Sequence, residues 1–134
     1  TLNQARALKP NSLRVHMAAG LVLGMAKKHV AAARAYASAI KLKPDLPVLH
    51  LMRGRELVRA KRLRPALKAL LDAKRASVKA RRPAPRSLDY WMAEVHRLWG
   101  KCAKAKRLYA AFLKRVPTGP MADLAKAHLK RCRP

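Results

Sequence analysis

The carboxylates and histidines of this chain are too scattered to predict a catalytic or metal site. The six carboxylates are Asp45, Glu56, Asp72, Asp89, Glu94 and Asp123. Asp89 and Glu94 lie closest, but a spacing of five residues does not place two side chains on one helical face. The five histidines contain no HxxxH pair, and no glycine-rich phosphate loop is present. We therefore expect a protein that is not an enzyme and uses no metal or cofactor.

The two cysteines, Cys102 and Cys132, do not by themselves indicate a metal site or a disulfide framework. Cys132 lies four residues after His128 and would share its helical face, but two ligands do not complete a zinc site. The cysteines either remain thiols, as we expect, or form a disulfide along one edge of the fold. Two cysteines leave the cellular compartment undetermined, with the cytoplasm slightly favoured.

The charge of the chain is strongly one-sided. Of 134 residues, 32 are Lys or Arg and 6 are Asp or Glu, which gives a net charge of +26. The hydrophobic fraction of 51% exceeds that of a charged disordered tail, so we expect one folded cationic domain. The longest uncharged stretch, Val15 to Ala26, is too short to span a bilayer. The chain begins at Thr1 without an initiator methionine or signal-type segment, which predicts a piece of a longer protein.

A pattern of small and large residues recurs along the chain with a spacing of 34 residues. Pro10 and Pro44 end the related segments ARALKP and AIKLKP, and Pro117 ends FLKRVP. Positions 24, 12, 8 and 5 residues before Pro44 have counterparts one repeat later and again before Pro117. These positions hold Gly20, Ala32, Tyr36, Ala39, Gly54, Ala66, Leu70, Ala73, Ala93, Ala105, Tyr109 and Phe112. Small residues allow two helices to approach closely, and the larger ones fill the space between them, so the pattern predicts helical hairpins.

This pattern resembles the tetratricopeptide repeat, a 34-residue helix–turn–helix unit. The resemblance covers nearly the whole chain and implies an all-α fold, an α-solenoid of antiparallel hairpins in a right-handed superhelical stack. It departs from the family at His16, His50 and Asp89, where an aromatic residue is usual, and at Phe112, where a small one is usual. The predicted units are the end of a truncated repeat (1–12), three repeats (13–46, 47–85 with about five extra residues, and 86–119) and a capping helix (120–134).

The resemblance implies a non-catalytic interaction scaffold that binds a protein or peptide ligand on a concave groove lined by the first helices. The groove residues so implied are Met17, Leu21, Met25, Leu51, Met52, Arg55, Tyr90, Trp91 and Arg97. Methionine and aromatic side chains suit adaptable peptide binding. The Lys/Asn/Arg carboxylate clamp of some members is not expected, because its slots hold Met17 and Leu21. The alternative is that some groove residues pack between helices or under a neighbouring repeat.

Most of the basic residues fall outside this groove, on second helices, turns and one loop. The extra residues of the second unit form either an ordinary linker or a basic contact loop of Lys79, Arg81, Arg82 and Arg86. Such a surface suits RNA, DNA or another polyanion as an alternative partner, although no aromatic stacking platform is expected beside it. Acidic proteins, anionic membrane surfaces and deliberate supercharging of a repeat domain are further explanations. The oligomeric state is not predicted.

Overall fold

The computed structural model describes residues 12–131, and the regular structure in this range is entirely helical. Seven helices occur in it: α1 Leu13–Met25, α2 His29–Leu42, α3 Pro47–Arg59, α4 Leu63–Lys79, α5 Leu88–Leu98, α6 Cys102–Arg115 and α7 Pro120–Arg131. The predicted all-α fold class is confirmed. No helix of this range is long and apolar enough to cross a membrane. Residues 1–11, predicted to belong to a truncated repeat, lie outside the described residues.

The helices form three hairpins, α1 with α2, α3 with α4 and α5 with α6, and each hairpin closes through a similar turn. Lys27, Lys61 and Gly100 occupy equivalent turn positions and have positive φ angles of 62°, 59° and 78°. The next residue of each turn donates its N–H to the carbonyl five residues earlier, as Lys28 does to Leu23 at 2.8 Å. These are the features of the Schellman helix ending, which satisfies carbonyls left free at a helix C-terminus.

The two helices of a hairpin touch where a small residue of the first faces a large residue of the second. A Cβ atom added to Gly20 would lie 2.5 Å from Cζ of Tyr36, and one added to Gly54 would lie 2.7 Å from Cδ2 of Leu70. Tyr36 and Leu70 are fully buried. Each pair is separated by 16 residues, so the recurring sequence pattern corresponds to a recurring contact between helices.

Successive hairpins share two apolar clusters. One cluster joins α3, α4 and α5 through residues such as Leu57, Leu70 and Val95. The other joins α5, α6 and α7 around Tyr109 and Phe112. Because α5 contributes to both clusters, it joins the second hairpin to α6 and α7 through buried apolar surface.

The connection between α4 and α5 is longer than the other connections between hairpins. The helix α4 has 17 residues, whereas α2 and α6 have 14 each. Pro83 and Pro85 follow it, and neither can donate the N–H that would continue a helix. Arg115 of α6 donates a hydrogen bond to the carbonyl of Ala84 at 2.8 Å, which anchors the connection to the third hairpin.

Cys102, the first residue of α6, is disulfide-bonded, so the expectation of a thiol at this position is wrong. The described residues contain no free cysteine. Cys132, the second cysteine of the sequence, lies outside the described range.

Candidate functional site

A cavity of about 250 Å³ lies between α3, the beginning of α5 and α7. Its walls are formed by Leu51, Met52, Arg55, Arg59, Ser87, Tyr90, Trp91, Met121 and Leu124. Five of the nine residues predicted for the groove, two aromatic and three from α3, come together here. The cavity is consequently a mixed surface, apolar on most sides and cationic along α3.

Helical spacing explains how α3 presents its four side chains to the cavity. Leu51, Arg55 and Arg59 are four residues apart, so they follow one face of the helix. Gly54 and Leu57 on another face are buried against the neighbouring helices. On the cavity-lining face Leu51 is buried in the core, whereas Met52, Arg55 and Arg59 keep accessible surface for a ligand.

The two aromatic residues of the cavity, Tyr90 and Trp91, are packed by ring contacts. Trp91 meets Tyr90 edge to face, with ring centroids 5.1 Å apart and an interplanar angle of 89°. Tyr90 in turn contacts Tyr109 at 5.9 Å and Phe112 at 5.4 Å, which anchors it in the cluster between α5 and α6. Burial, reinforced by the charge of Glu94, raises the pKa of Tyr90 to about 12, so its phenol stays neutral at physiological pH.

Glu56 pairs with Arg55 and Arg59, the two arginines that line the cavity. Its side chain is fully buried and its Oε1 lies 3.0 Å from Arg59 Nη1 and 3.3 Å from Arg55 Nη2. His29 of α2 places Nδ1 2.7 Å from the other carboxylate oxygen. The Arg59 guanidinium also lies 5.4 Å from the ring centroid of Trp91, within reach of a cation–π interaction. Two arginines are thus oriented by one acid, which leaves a local excess of positive charge.

Arg97, predicted for the groove, lies in a polar network beside the cavity and does not line it. Its Nη2 is 2.8 Å from Glu94 Oε2, and its Nε donates to the hydroxyl of Tyr109 at 3.2 Å. The Tyr109 hydroxyl donates to Glu94, and His128 of α7 places Nε2 3.3 Å from the same carboxylate. The network therefore connects α5, α6 and α7 at one end of the cavity.

The pKa values of this network follow from burial and hydrogen bonding. The hydrogen bond to Glu94 raises the pKa of Arg97, so the guanidinium stays charged. Burial raises the pKa of Tyr109, and the hydrogen bond to Glu94 raises it further. Burial lowers the pKa of His128, against the opposing effect of Glu94. His128 is therefore neutral near pH 7 and does not add to the positive charge of the site.

The remaining predicted groove residues lie on α1 and do not line this cavity. Met17 is half-buried, whereas Leu21 and Met25 are 44% and 84% exposed. They form a separate apolar face at the N-terminal end of the described residues.

The four residues predicted as a basic contact loop are all exposed, but they do not lie at the cavity. Lys79 ends α4 and its Nζ lies 3.1 Å from Asp45 Oδ1, between α2 and α3. Arg81 has a positive φ of 55°, and Arg82 and Arg86 follow it in the connection to α5. One of the four is therefore already neutralised by a carboxylate.

Sequence reasoning missed the contribution of α7 to the cavity. Both α3 and α7 begin at a proline, Pro47 and Pro120, so the two helices can be aligned at these residues. Met121 and Leu124 then stand one and four positions after the proline, where α3 has Val48 and Leu51. This alignment would have placed the last helix among the groove-lining helices.

The residues at the cavity are suited to binding. Apolar and aromatic side chains can bury a ligand side chain, and the arginines can pair with an anionic group. The part of the chain that the structure describes has no cluster of three or more His, Cys, Asp or Glu that could hold a metal ion. No protein-family model matches the chain, and a search of curated proteins found no relative.

Proposed function

We propose that the chain is a non-catalytic scaffold of the tetratricopeptide-repeat type that binds a peptide or a partner helix between α3, α5 and α7. The observation that supports this most is the cavity in which Met52 and Trp91 meet beside Arg55 and Arg59. Aromatic and arginine side chains dominate the binding energy of protein interfaces, and methionine adapts its shape to different partners. In a solenoid of this type the odd-numbered helices would form the concave face.

The cavity is the size of an anchoring side chain. Pockets for whole small-molecule ligands usually measure about 300–1,000 Å³, whereas this one has about 250 Å³. The walls favour an apolar residue of the ligand next to an acidic one, because Arg55 and Arg59 together carry one charge more than Glu56 balances. We therefore propose a ligand segment that combines a bulky apolar residue with a neighbouring carboxylate.

The proposal is tested with peptides selected from a random display library on the purified protein. The double variant Met52→Ala, Trp91→Ala removes two walls of the cavity, and we expect the selected peptides to bind it at least about tenfold more weakly. The matched control is Leu46→Ala, Val78→Ala, which truncates two exposed apolar residues that do not line the cavity. Circular dichroism checks that both variants retain their helices.

A direct reading comes from the Trp99→Phe variant, in which Trp91 is the remaining tryptophan. Peptide binding should shift the emission of Trp91 to shorter wavelength, because the ligand excludes water from the indole. Equal affinity of the selected peptides for both double variants, or an unchanged emission spectrum on binding, would show that the ligand site lies elsewhere.

A further inference from the structure

We propose a second binding site on this chain, a basic cleft around Trp99 that binds a segment of single-stranded nucleic acid. The cleft has about 230 Å³ and is lined by Arg64, Leu67, Lys68, Leu71, Arg75 and Trp99. It shares no residue with the cavity of the proposed peptide site. The two proposals can therefore be tested independently.

The outer face of α4 supplies most of the cleft. Arg64, Lys68 and Arg75 are exposed, and their spacing of four and seven residues places them along one side of the helix. Leu67 and Leu71 lie between them and are half-buried, which gives the cleft an apolar floor. The opposite side of α4 is the buried one that packs in the core.

Trp99 adds a flat aromatic surface to these cations. It follows α5 directly and is half-buried, and the ring of His96 packs against it at 5.7 Å. The exposed Lys101 places its Nζ 5.3 Å from the indole centroid, so a base that stacks on this face would take the place of the ammonium. One aromatic side chain therefore lies beside basic residues of the outer surface.

The positive charge around the cleft exceeds what the fold itself neutralises. None of the six lining residues is acidic, and the neighbouring carboxylate of Asp72 approaches Arg75 at 3.5 Å. Burial lowers the pKa of His96, which packs against the indole, and the charges of Lys104 and Lys101 lower it further. Like charges four residues apart on a helix, such as Arg64 and Lys68, repel each other, and an anionic ligand would relieve this repulsion.

The combination of features favours a single nucleic-acid strand over other polyanions. Unpaired bases stack on aromatic rings irrespective of their sequence, while arginines and lysines contact the phosphates on either side. A duplex keeps its bases stacked on each other and would leave Trp99 unused. Acidic peptides and anionic lipids would use the cations but have no flat ring for the indole.

The test measures binding of fluorescein-labelled oligothymidylate of about 12 nucleotides by fluorescence anisotropy between about 50 and 200 mM NaCl. We expect Trp99→Ala to weaken binding about tenfold with little change in salt dependence, and Trp99→Phe to retain most of the affinity. The control Leu46→Ala, Val78→Ala truncates two exposed apolar residues outside the cleft and should bind like the wild type.

The charges are tested with Arg64→Gln, Lys68→Gln, two exposed residues whose replacement leaves the core intact. This variant should lower the slope of log affinity against log salt by about 1.4, which is about 0.7 for each lost phosphate contact. The control Lys41→Gln, Lys43→Gln removes the same charge from an exposed part of the chain outside the cleft and should change the slope less.

The direct reading is the fluorescence of Trp99 in a Trp91→Phe background, which a stacked base should quench. The proposal is overturned if quenching is absent or if the two charge variants lose affinity equally. Stronger binding to a duplex of equal length, or to phosphatidylserine vesicles, would also overturn it, because neither offers an unpaired base to the indole.

Discussion

Glu56 shows how one residue can determine the character of a binding surface. Its carboxylate is fully buried and is surrounded by Arg55 and Arg59 of its own helix and by His29 of α2. A Cβ atom added to Gly24 of α1 would lie 2.9 Å from Glu56 Oε1, so the acid also packs on the first helix. A buried charge is tolerated only when it is paired, and here the pairing orients the arginines of the cavity.

We predict that Glu56→Gln lowers the free energy of unfolding by about 2–3 kcal/mol, because the buried carboxylate is the shared charged acceptor of the partly exposed Arg55 and Arg59. The measurement is urea unfolding followed by circular dichroism. Asp72→Asn is the matched control, since its carboxylate pairs with a largely exposed Arg75 and such pairs contribute about 0–1 kcal/mol. Equal losses for the two variants would show that the burial of Glu56 is not what makes its charge important.

The partners of Glu56 also mark a limit of sequence reasoning at the residue scale. His29 is 27 residues away on a different helix, and no local spacing connects it to the acid. Arg97 was predicted for the groove from its position on a first helix, but Glu94 and Tyr109 draw it into the polar network. Which rotamer a long side chain adopts depends on its hydrogen-bond partners, and those become known only from the packed helices.

At the scale of elements, the hairpin turns impose a backbone requirement that the sequence meets in only one of three cases. Gly100 adopts positive φ without a steric penalty, whereas Lys27 and Lys61 adopt it with a side chain attached. The left-handed conformation costs an ordinary residue about 1–2 kcal/mol, and glycine loses about 0.5–1 kcal/mol of this advantage through its greater freedom in the unfolded chain.

We predict that Lys27→Gly and Lys61→Gly each raise the free energy of unfolding by about 0.5–1 kcal/mol, measured by thermal or urea unfolding. A substitution of the same kind within a helix, Lys74→Gly in α4, should instead lower it by about 1 kcal/mol. Loss of stability at both turn positions would contradict the argument and would mean that the lysine side chains make favourable contacts there.

The elements themselves were more predictable than the side-chain contacts. The spacing of Gly20 with Tyr36 and of Gly54 with Leu70 predicted where two helices approach, because residue volume at a close contact can be read from sequence. The Trp99 cleft was missed, since it depends on how the outer face of α4 is placed beside the end of α5. Sequence periodicity shows which face of a single helix is apolar, but it does not show how that helix is placed beside another.

At the scale of the whole molecule, the net charge of +26 is a source of self-repulsion. The two buried carboxylates are each paired with arginine, Glu56 with Arg55 and Arg59 and Glu94 with Arg97, and the remaining acids are few. A compact state with so much charge of one sign is destabilised relative to the expanded chain, in which the charges are farther apart.

We predict that added NaCl raises the melting temperature, because at 1 M salt the Debye length falls to about 3 Å and the repulsion is screened. Lys126→Glu, Lys130→Glu removes two positive charges and adds two negative ones, which changes the net charge from +26 to +22. The melting temperature of this variant, measured by calorimetry, should rise less with added salt. A melting temperature that stays constant or falls as salt increases would show that repulsion does not limit the stability of the fold.

The position of α7 has a thermodynamic consequence. Met121 and Leu124 form part of the cavity wall, and α7 is held to the rest of the chain by one apolar cluster and by the His128–Glu94 contact. Any opening of α7 would remove one wall of the cavity. A ligand in that cavity and the docking of α7 would therefore strengthen each other by the same factor.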